Sequence, residues 1–255
     1  MDKNMESLIR KFQIIANKGF IQGVNKSTGS IGHTFEKELM KNHDNKYLPD
    51  YHDIEIKCTS NLNVYPITLF SIAFDGPTFP EINRIVDKYG YYDKTFANQK
   101  VLFANINNKI PSIVNKKYIF KLDIDYKDKR IYLCVYDIYN NLIERNSYIN
   151  IDNLYNHINL KIKKIAIIYG NRINSNNNMY FKYNKICIYK LSNIEKFLKA
   201  VEEGILNAQL IVNTYKSGNR QGKLRNKNLS FQVDKNKIDI VFDKLYEYSH
   251  KKRNS

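Results

Sequence analysis

The sequence predicts an α/β fold: a mixed central sheet flanked by helices, in one domain spanning residues 1–255. Three observations predict it. Apolar residues recur at helical spacing in several segments. Between those segments lie short alternating or wholly apolar runs of strand length. The two kinds intermingle along the chain with no internal repeat and no Pro/Ser-rich linker. Such a domain can fold as two lobes, about 1–170 and 171–255, around a cleft.

The elements follow in order. Met5, Leu8, Phe12 and Ile15 share a helix face, and Gly19 suits the position after its end. Residues 20–30 form a polar loop. A second helix starts near Ile31 with Ser30 as N-cap, and Ile31, Phe35 and Leu39 form its apolar side. Residues 54–58 alternate strictly: Ile54, Ile56 and Cys58 face one way, while Glu55 and Lys57 share an open face. A strand at 66–74, a helix at 79–90 and a hairpin of 118–126 with 130–137 follow. The run 162–170 is the most apolar strand and belongs at the centre of a sheet. Asn171 to Asn178 is a polar loop, and 181–190 a further strand. Ser192 and Glu195 form a capping box for a helix closed by Gly204. A strand at 205–215, a basic loop from Lys216 to Asn228, a strand at 229–233 and a last helix at 239–249 complete the chain.

Lys and Arg number 41 against 25 Asp and Glu, a net charge of +16. That excess suits a polyanionic partner, since each neutralised phosphate releases condensed counterions. Wealth in Asn, Lys, Ile and Tyr also suits an AT-rich genome, so charge alone does not decide. Cys58, Cys134 and Cys187 are scattered in apolar surroundings, as buried free thiols are in a reducing compartment. No CxxC pair and no HxH or HxxxH spacing supports a zinc or histidine-metal site. Gly29-Ser-Ile-Gly32 lacks the Lys-Ser/Thr ending of a nucleotide-binding loop. No signal peptide and no run of about 18 apolar residues is present, so a soluble cytoplasmic protein is expected, with no membrane partner.

One segment carries chemistry: Pro49-Asp50-Tyr-His-Asp-Ile-Glu55-Ile-Lys57. Mg²⁺ prefers hard oxygen ligands, usually one or two carboxylates completed by water and phosphate. Asp50 and Glu55 can supply two. Lys57 lies two residues along the same face, roughly 7 Å on, where an ammonium can stabilise charge on a phosphoryl group. An alternating Glu-x-Lys on a strand is also a common solvated face. Asp53 competes with Asp50 but lacks the preceding proline.

The surrounding residues resemble a known family. Lys18-Gly19-Phe20-Ile21, the helix start from Thr28-Gly29 to Thr34-Phe35-Glu36, Pro49-Asp50, Glu55-Ile56-Lys57 and Thr68-Leu69-Phe70 are similar to the MvaI/BcnI restriction endonucleases, a MutH-like branch of the PD-(D/E)XK nucleases. Phe35 stands where the family usually has Leu. The resemblance implies a restriction-endonuclease-like core and a type II enzyme cutting double-stranded DNA at a short site. By it, Asp50 and Glu55 are metal ligands for Mg²⁺, with Mn²⁺ able to substitute. Lys57 is the catalytic lysine, and Glu36 a further catalytic glutamate. It implies a catalytic lobe at about 1–170 and a recognition lobe at about 171–255. It also implies a monomer needing no protein partner, with a companion DNA methyltransferase.

Reading a DNA sequence needs base contacts as well as phosphate contacts. Arg220, Gln221, Lys223, Arg225, Asn226, Lys227 and Asn228 of the basic loop are the main candidates, since Arg and Lys suit guanine and Asn and Gln suit adenine. Arg172, Lys26 and Thr34 join them. The family's His-Gly pair in this region is replaced by Lys227-Asn228, which leaves the target sequence open. A MutH-like nicking enzyme and a noncatalytic DNA-binding protein are the competing functions.

Overall fold

The computed structural model describes residues 1–39, 48–225 and 228–250. The elements are α1 (Lys3–Asn17), β1 (Ile21–Gln22), α2 (Ser30–Glu38), β2 (Ile54–Ser60), β3 (Ile67–Ile72), α3 (Glu81–Tyr89), β4 (Tyr91–Tyr92), β5 (Lys100–Ile106), β6 (Ile113–Val114), β7 (Tyr118–Asp125), β8 (Arg130–Asp137), β9 (Leu142–Asn150), α4 (Ile151–Lys161), β10 (Lys164–Ser175), β11 (Asn178–Leu191), α5 (Ile194–Glu202), β12 (Leu206–Thr214), β13 (Leu224–Arg225), β14 (Leu229–Val233), α6 (Ile238–Val241) and β15 (Phe242–Ser249). Among the described residues no helix is long and apolar enough to cross a membrane.

The chain forms two compact units that interleave along the sequence. The first gathers Met1–Ile67, Ile158–Ser192 and Asp239–Ser255; the second gathers Thr68–His157 and Asn193–Ile238. Residue 170 falls inside β10 of the first unit, so the units do not divide where the expected lobes do.

The first unit is built on a mixed sheet of order β1-β11-β10-β2, with β15 on β11. β10 is interior as its apolar sequence demands, antiparallel to β11 and parallel to β2. Ile54, Ile56, Ala166, Ile168, Ile186 and Ile188 turn one face toward α1 and α2, where Phe12, Phe35 and Tyr183 close the core. Asp2 caps α1 by accepting from the Met5 N–H at 2.9 Å and also meets Lys164 at 2.6 Å. Asp2→Ala is expected to cost about 1 kcal/mol in a urea melt, the usual worth of an N-cap.

The second unit holds a sheet of order β3-β14-β12-β5-β4 and a meander β6-β7-β8-β9. Phe70, Phe197 and Phe231 pack together in its core with ring centroids 5.3–5.9 Å apart.

Several expectations are corrected. The last helix is only the four residues of α6, and 242–249 forms β15 on β11. The Asn171–Asn178 loop shrinks to a hairpin turn, because Asn176 and Asn177 both adopt positive φ and let β10 run on to Ser175. Ser30 does not cap α2: Gly29 holds that position, and the Ser30 hydroxyl donates to the Asn25 carbonyl at 2.6 Å. Asn193, not Ser192, caps α5 by accepting from the Lys196 N–H.

Candidate active site

A tight turn sets the geometry. Tyr51 and Ile54 exchange both backbone hydrogen bonds at 2.9 Å, with His52 between them at a φ of 52°. The turn is tied to α1 by the Ser7–Tyr51 hydroxyl contact at 2.8 Å. It leaves Asp50 beside the free edge of β2, where Oδ2 accepts the Ile56 N–H at 3.0 Å. Asp53 is taken elsewhere, held by Lys164 at 2.5 Å and Asn4 at 2.8 Å. Its carboxylate is thus engaged by Lys164 and Asn4.

Glu55 and Lys57 share a face of β2, as the alternation predicts, but that face is not open. Glu55 is only 3% exposed. Its Oε1 accepts from the Lys57 ammonium at 2.7 Å, and Lys161 at the end of α4 places a second ammonium 4.0 Å away. Among the described residues its Oε2 is buried without a hydrogen-bond partner. A buried carboxylate oxygen left unpaired costs stability unless something else coordinates it. Burial pushes the Glu55 pKa above the usual carboxylate range; Lys57 opposes that, Asp50 adds to it and Lys161 opposes it again. Asp50 therefore stands close enough to Glu55 for the two charges to repel.

Glu36 is carried by α2, near Cys58 of β2. A Cβ on Gly32, one helical turn earlier, would lie 3.9 Å from Glu36 Oε1 and 4.0 Å from Cys58 Cβ. The Cys58 thiol is pushed well up by burial, with Glu36 and Asp50 adding to the effect. Glu36 is thus within electrostatic reach of Cys58, and Asp50 of both Glu55 and Cys58. Among the described residues no three His, Cys, Asp or Glu side chains gather as a metal cluster of their own. Two carboxylates, one with an orphaned buried oxygen, have the chemistry that suits a hard cation completing its shell with water and substrate oxygens.

The family model of the MvaI/BcnI restriction endonucleases matches residues 9–242. The chain belongs to the MvaI/BcnI restriction endonuclease family. It is accordingly a type II restriction endonuclease, a site-specific deoxyribonuclease acting on DNA. The structure is similar to a solved complex of restriction endonuclease MvaI with its cognate DNA substrate. The TM-score is 0.89 at 26% identity, covering 98% of this chain and 99% of that one. It is also similar to MvaI in the absence of DNA, with a TM-score of 0.60 at 27% identity, covering 96% and 97%. No curated protein matches. The restriction-endonuclease-like fold expected from sequence is thereby found. The family's chemistry generally uses a divalent metal, and the unpartnered Glu55 oxygen beside Asp50 fits one.

In this MvaI/BcnI family member the residues expected to meet DNA fall in both units. Lys26 and Arg172 are exposed in the first unit. Thr34 is not available: it is 1% exposed, and its hydroxyl accepts the Val24 N–H at 3.2 Å. Its role is to hold the loop before α2. Arg220, Gln221, Lys223, Arg225 and Asn228 are exposed in the second unit, and Asn226 and Lys227 lie outside the described residues. The guanidinium groups of Arg220 and Arg225 sit 5.9 and 5.6 Å from the Tyr215 ring. Such stacking orders an arginine while leaving its donors outward.

Sequence reasoning missed two residues here. Lys161 belongs to a helix the sequence did not announce. Asp93 anchors the start of the basic loop: it accepts from Lys216 at 2.7 Å, Thr214 at 2.8 Å and the Thr95 N–H at 2.6 Å. Lys216 is the largest influence holding the Asp93 carboxyl far below its ordinary range.

Proposed function

We propose that the chain hydrolyses phosphodiester bonds of double-stranded DNA at a short specific site, using Mg²⁺ held by Asp50 and Glu55. Mn²⁺ would substitute for it. The observation that carries this reading is the buried, unpartnered Oε2 of Glu55. When bound, the cation polarises the scissile phosphate and activates water.

The chain's own residues divide the remaining work. Lys57, held at 2.7 Å by Glu55 Oε1, is the catalytic lysine and places a positive charge where charge develops on phosphorus. Lys161 keeps a second positive charge near Glu55 when Lys57 turns to the phosphate. The Ile56 N–H fixes the Asp50 carboxylate, and Glu36 borders the site from α2. With one such centre among the described residues, a monomer would cut the two strands in separate events. A companion methyltransferase would protect the host's copies of the site.

The stacked arginines of the basic loop would read bases. Arg225→Ala is expected to cost about 1–3 kcal/mol of discrimination and to relax the sequence preference at one position. Sequencing the ends of cleaved random DNA checks this. A uniform loss at all sequences would assign Arg225 to the backbone.

Plasmid digestion with and without Mg²⁺, with the ends mapped, tests the proposal as a whole. Discrete ends that need Mg²⁺, preceded by a nicked circle, are expected. Cleavage in EDTA, or ends with no common sequence, would refute it.

A further inference from the structure

β2 runs directly from the catalytic residues into a short loop, Asn61 to Pro66. Three of the largest exposed apolar side chains of the molecule sit there together: Leu62 at 89%, Val64 at 86% and Tyr65 at 74%. Clustered exposed apolar groups disfavour solubility and usually mark an interaction site.

The loop backbone that carries them is firmly tied. The Asn61 N–H donates to the Gly170 carbonyl at 2.9 Å, and its side-chain amide to Asn171 Oδ1 at 2.6 Å. The Asn63 N–H donates to the Ser60 carbonyl at 3.0 Å, and its side chain to Thr59 at 3.3 Å. Asn63 Oδ1 in turn accepts the Tyr65 N–H at 3.0 Å. Asparagines thus hold the loop in shape while its apolar side chains project outward. Beneath it lies a groove of about 460 Å³, lined by Leu62 and Tyr65 from the loop, by the apolar Ile31, Met179 and Phe181, and by Arg172. Its guanidinium suits a backbone phosphate.

From Lys57 to the end of β2 is three residues, about 10 Å by strand rise. That is roughly three nucleotide steps at about 3.4 Å each. A preformed apolar projection just beyond that point, on the strand that carries Glu55 and Lys57 and on a chain of net charge +16, has the properties of a wedge.

We propose that Leu62, Val64 and Tyr65 insert into the minor groove beside the cut site and open a base step, with Arg172 holding the adjoining backbone. Apolar wedges of this kind unstack steps and bend the duplex. The wedge would register the scissile phosphate over Glu55 and Lys57. It would also add a preference for easily unstacked pyrimidine–purine steps that no hydrogen bond reads. This inference rests on the placement of the catalytic centre at Asp50, Glu55 and Lys57.

The test uses the whole protein and a duplex carrying the mapped site, with 2-aminopurine placed in turn at each step beside the cut. Ca²⁺ replaces Mg²⁺ so that the DNA stays whole. The wild type should raise the fluorescence at one step. Leu62→Ser/Val64→Ser/Tyr65→Ser should abolish that rise and lower kcat/KM about 10-fold or more. Its Tm and its salt dependence of binding should match the wild type, because no phosphate contact is lost. Leu62→Met/Val64→Ile should restore the signal. A wild-type complex silent at every step, or a triple variant with unaltered fluorescence and cleavage, would overturn the proposal. So would sedimentation showing that the loop instead joins two copies of the chain. The fluorescence needs no bond cleavage, so failure of the catalytic assignment would show in the Mg²⁺ assay and leave this readout standing.

Discussion

Lys57→Ala is expected to lower single-turnover DNA cleavage by about 10²–10³-fold, the loss seen when one preorganised donor to a developing charge is removed. The side chain is held in place before substrate arrives, by its 2.7 Å contact with Glu55 Oε1. Its removal also leaves a nearly buried carboxylate with only the more distant ammonium of Lys161, 4.0 Å away. Site-specific DNA binding, read by gel shift in Ca²⁺, should survive, because base contacts are assigned elsewhere. Lys57→Arg should rescue little, since a planar guanidinium does not replace a compact ammonium in a fitted pocket. Lys161→Ala should reduce cleavage less than Lys57→Ala, following the longer distance. Equal losses would mean that the two lysines share the catalytic role. Full activity in Lys57→Ala would remove it from the mechanism.

The second large effect is on stability. In the second unit, Arg84 of α3 joins Glu81, Glu144 and the Ser147 hydroxyl, while Lys88 and Tyr89 donate to Glu144 from the same helix. Glu81 and Glu144 are both buried, and the network fastens α3 to β9. Removing one partner strands the rest, so Glu144→Ala should cost about 3–5 kcal/mol at neutral pH. Burial alone would raise the Glu144 carboxyl, but Arg84, Lys88 and Tyr89 outweigh it and hold the pKa at about 2. A group depressed in the folded state favours folding above its ordinary value of 4.5 and loses that contribution as pH falls toward 2. The gap in urea midpoint between wild type and Glu144→Gln should therefore narrow between those pH values. A gap independent of pH would show that the carboxylate charge contributes nothing.

How much of this was legible in the residues depends on whether the signal was local. The alternation of Ile54, Glu55, Ile56 and Lys57 was enough to place the strand and its two faces. It could not show that the charged face would be covered, because Lys161 reaches Glu55 from 106 positions along the chain. The helix carrying Lys161 is rich in asparagine, a weak helix former. The spacing of Leu154, Ile158 and Ile162, all buried, was the signal that would have found it. Residues 242–249 fit both periods: Phe242 and Tyr246 are four apart as in a helix, yet Tyr246 and Tyr248 alternate as in a strand. The open edge of β11 decides for the strand. That Asp53 is engaged by Lys164 was also beyond local reading, since the two are brought together only through space. The basic loop was visible from composition alone, but its anchor Asp93 lies 123 positions before Lys216.

The central claim is that Glu55, with Asp50, presents a carboxylate oxygen to a divalent cation. Mn²⁺ binding to the enzyme–DNA complex, followed by electron paramagnetic resonance, tests it most directly. Wild-type protein should bind Mn²⁺. Glu55→Gln should bind it more weakly by more than the ~10–100-fold cost of losing a merely supporting group, with Tm and DNA binding retained. Equal Mn²⁺ affinity in the two proteins would contradict the assignment.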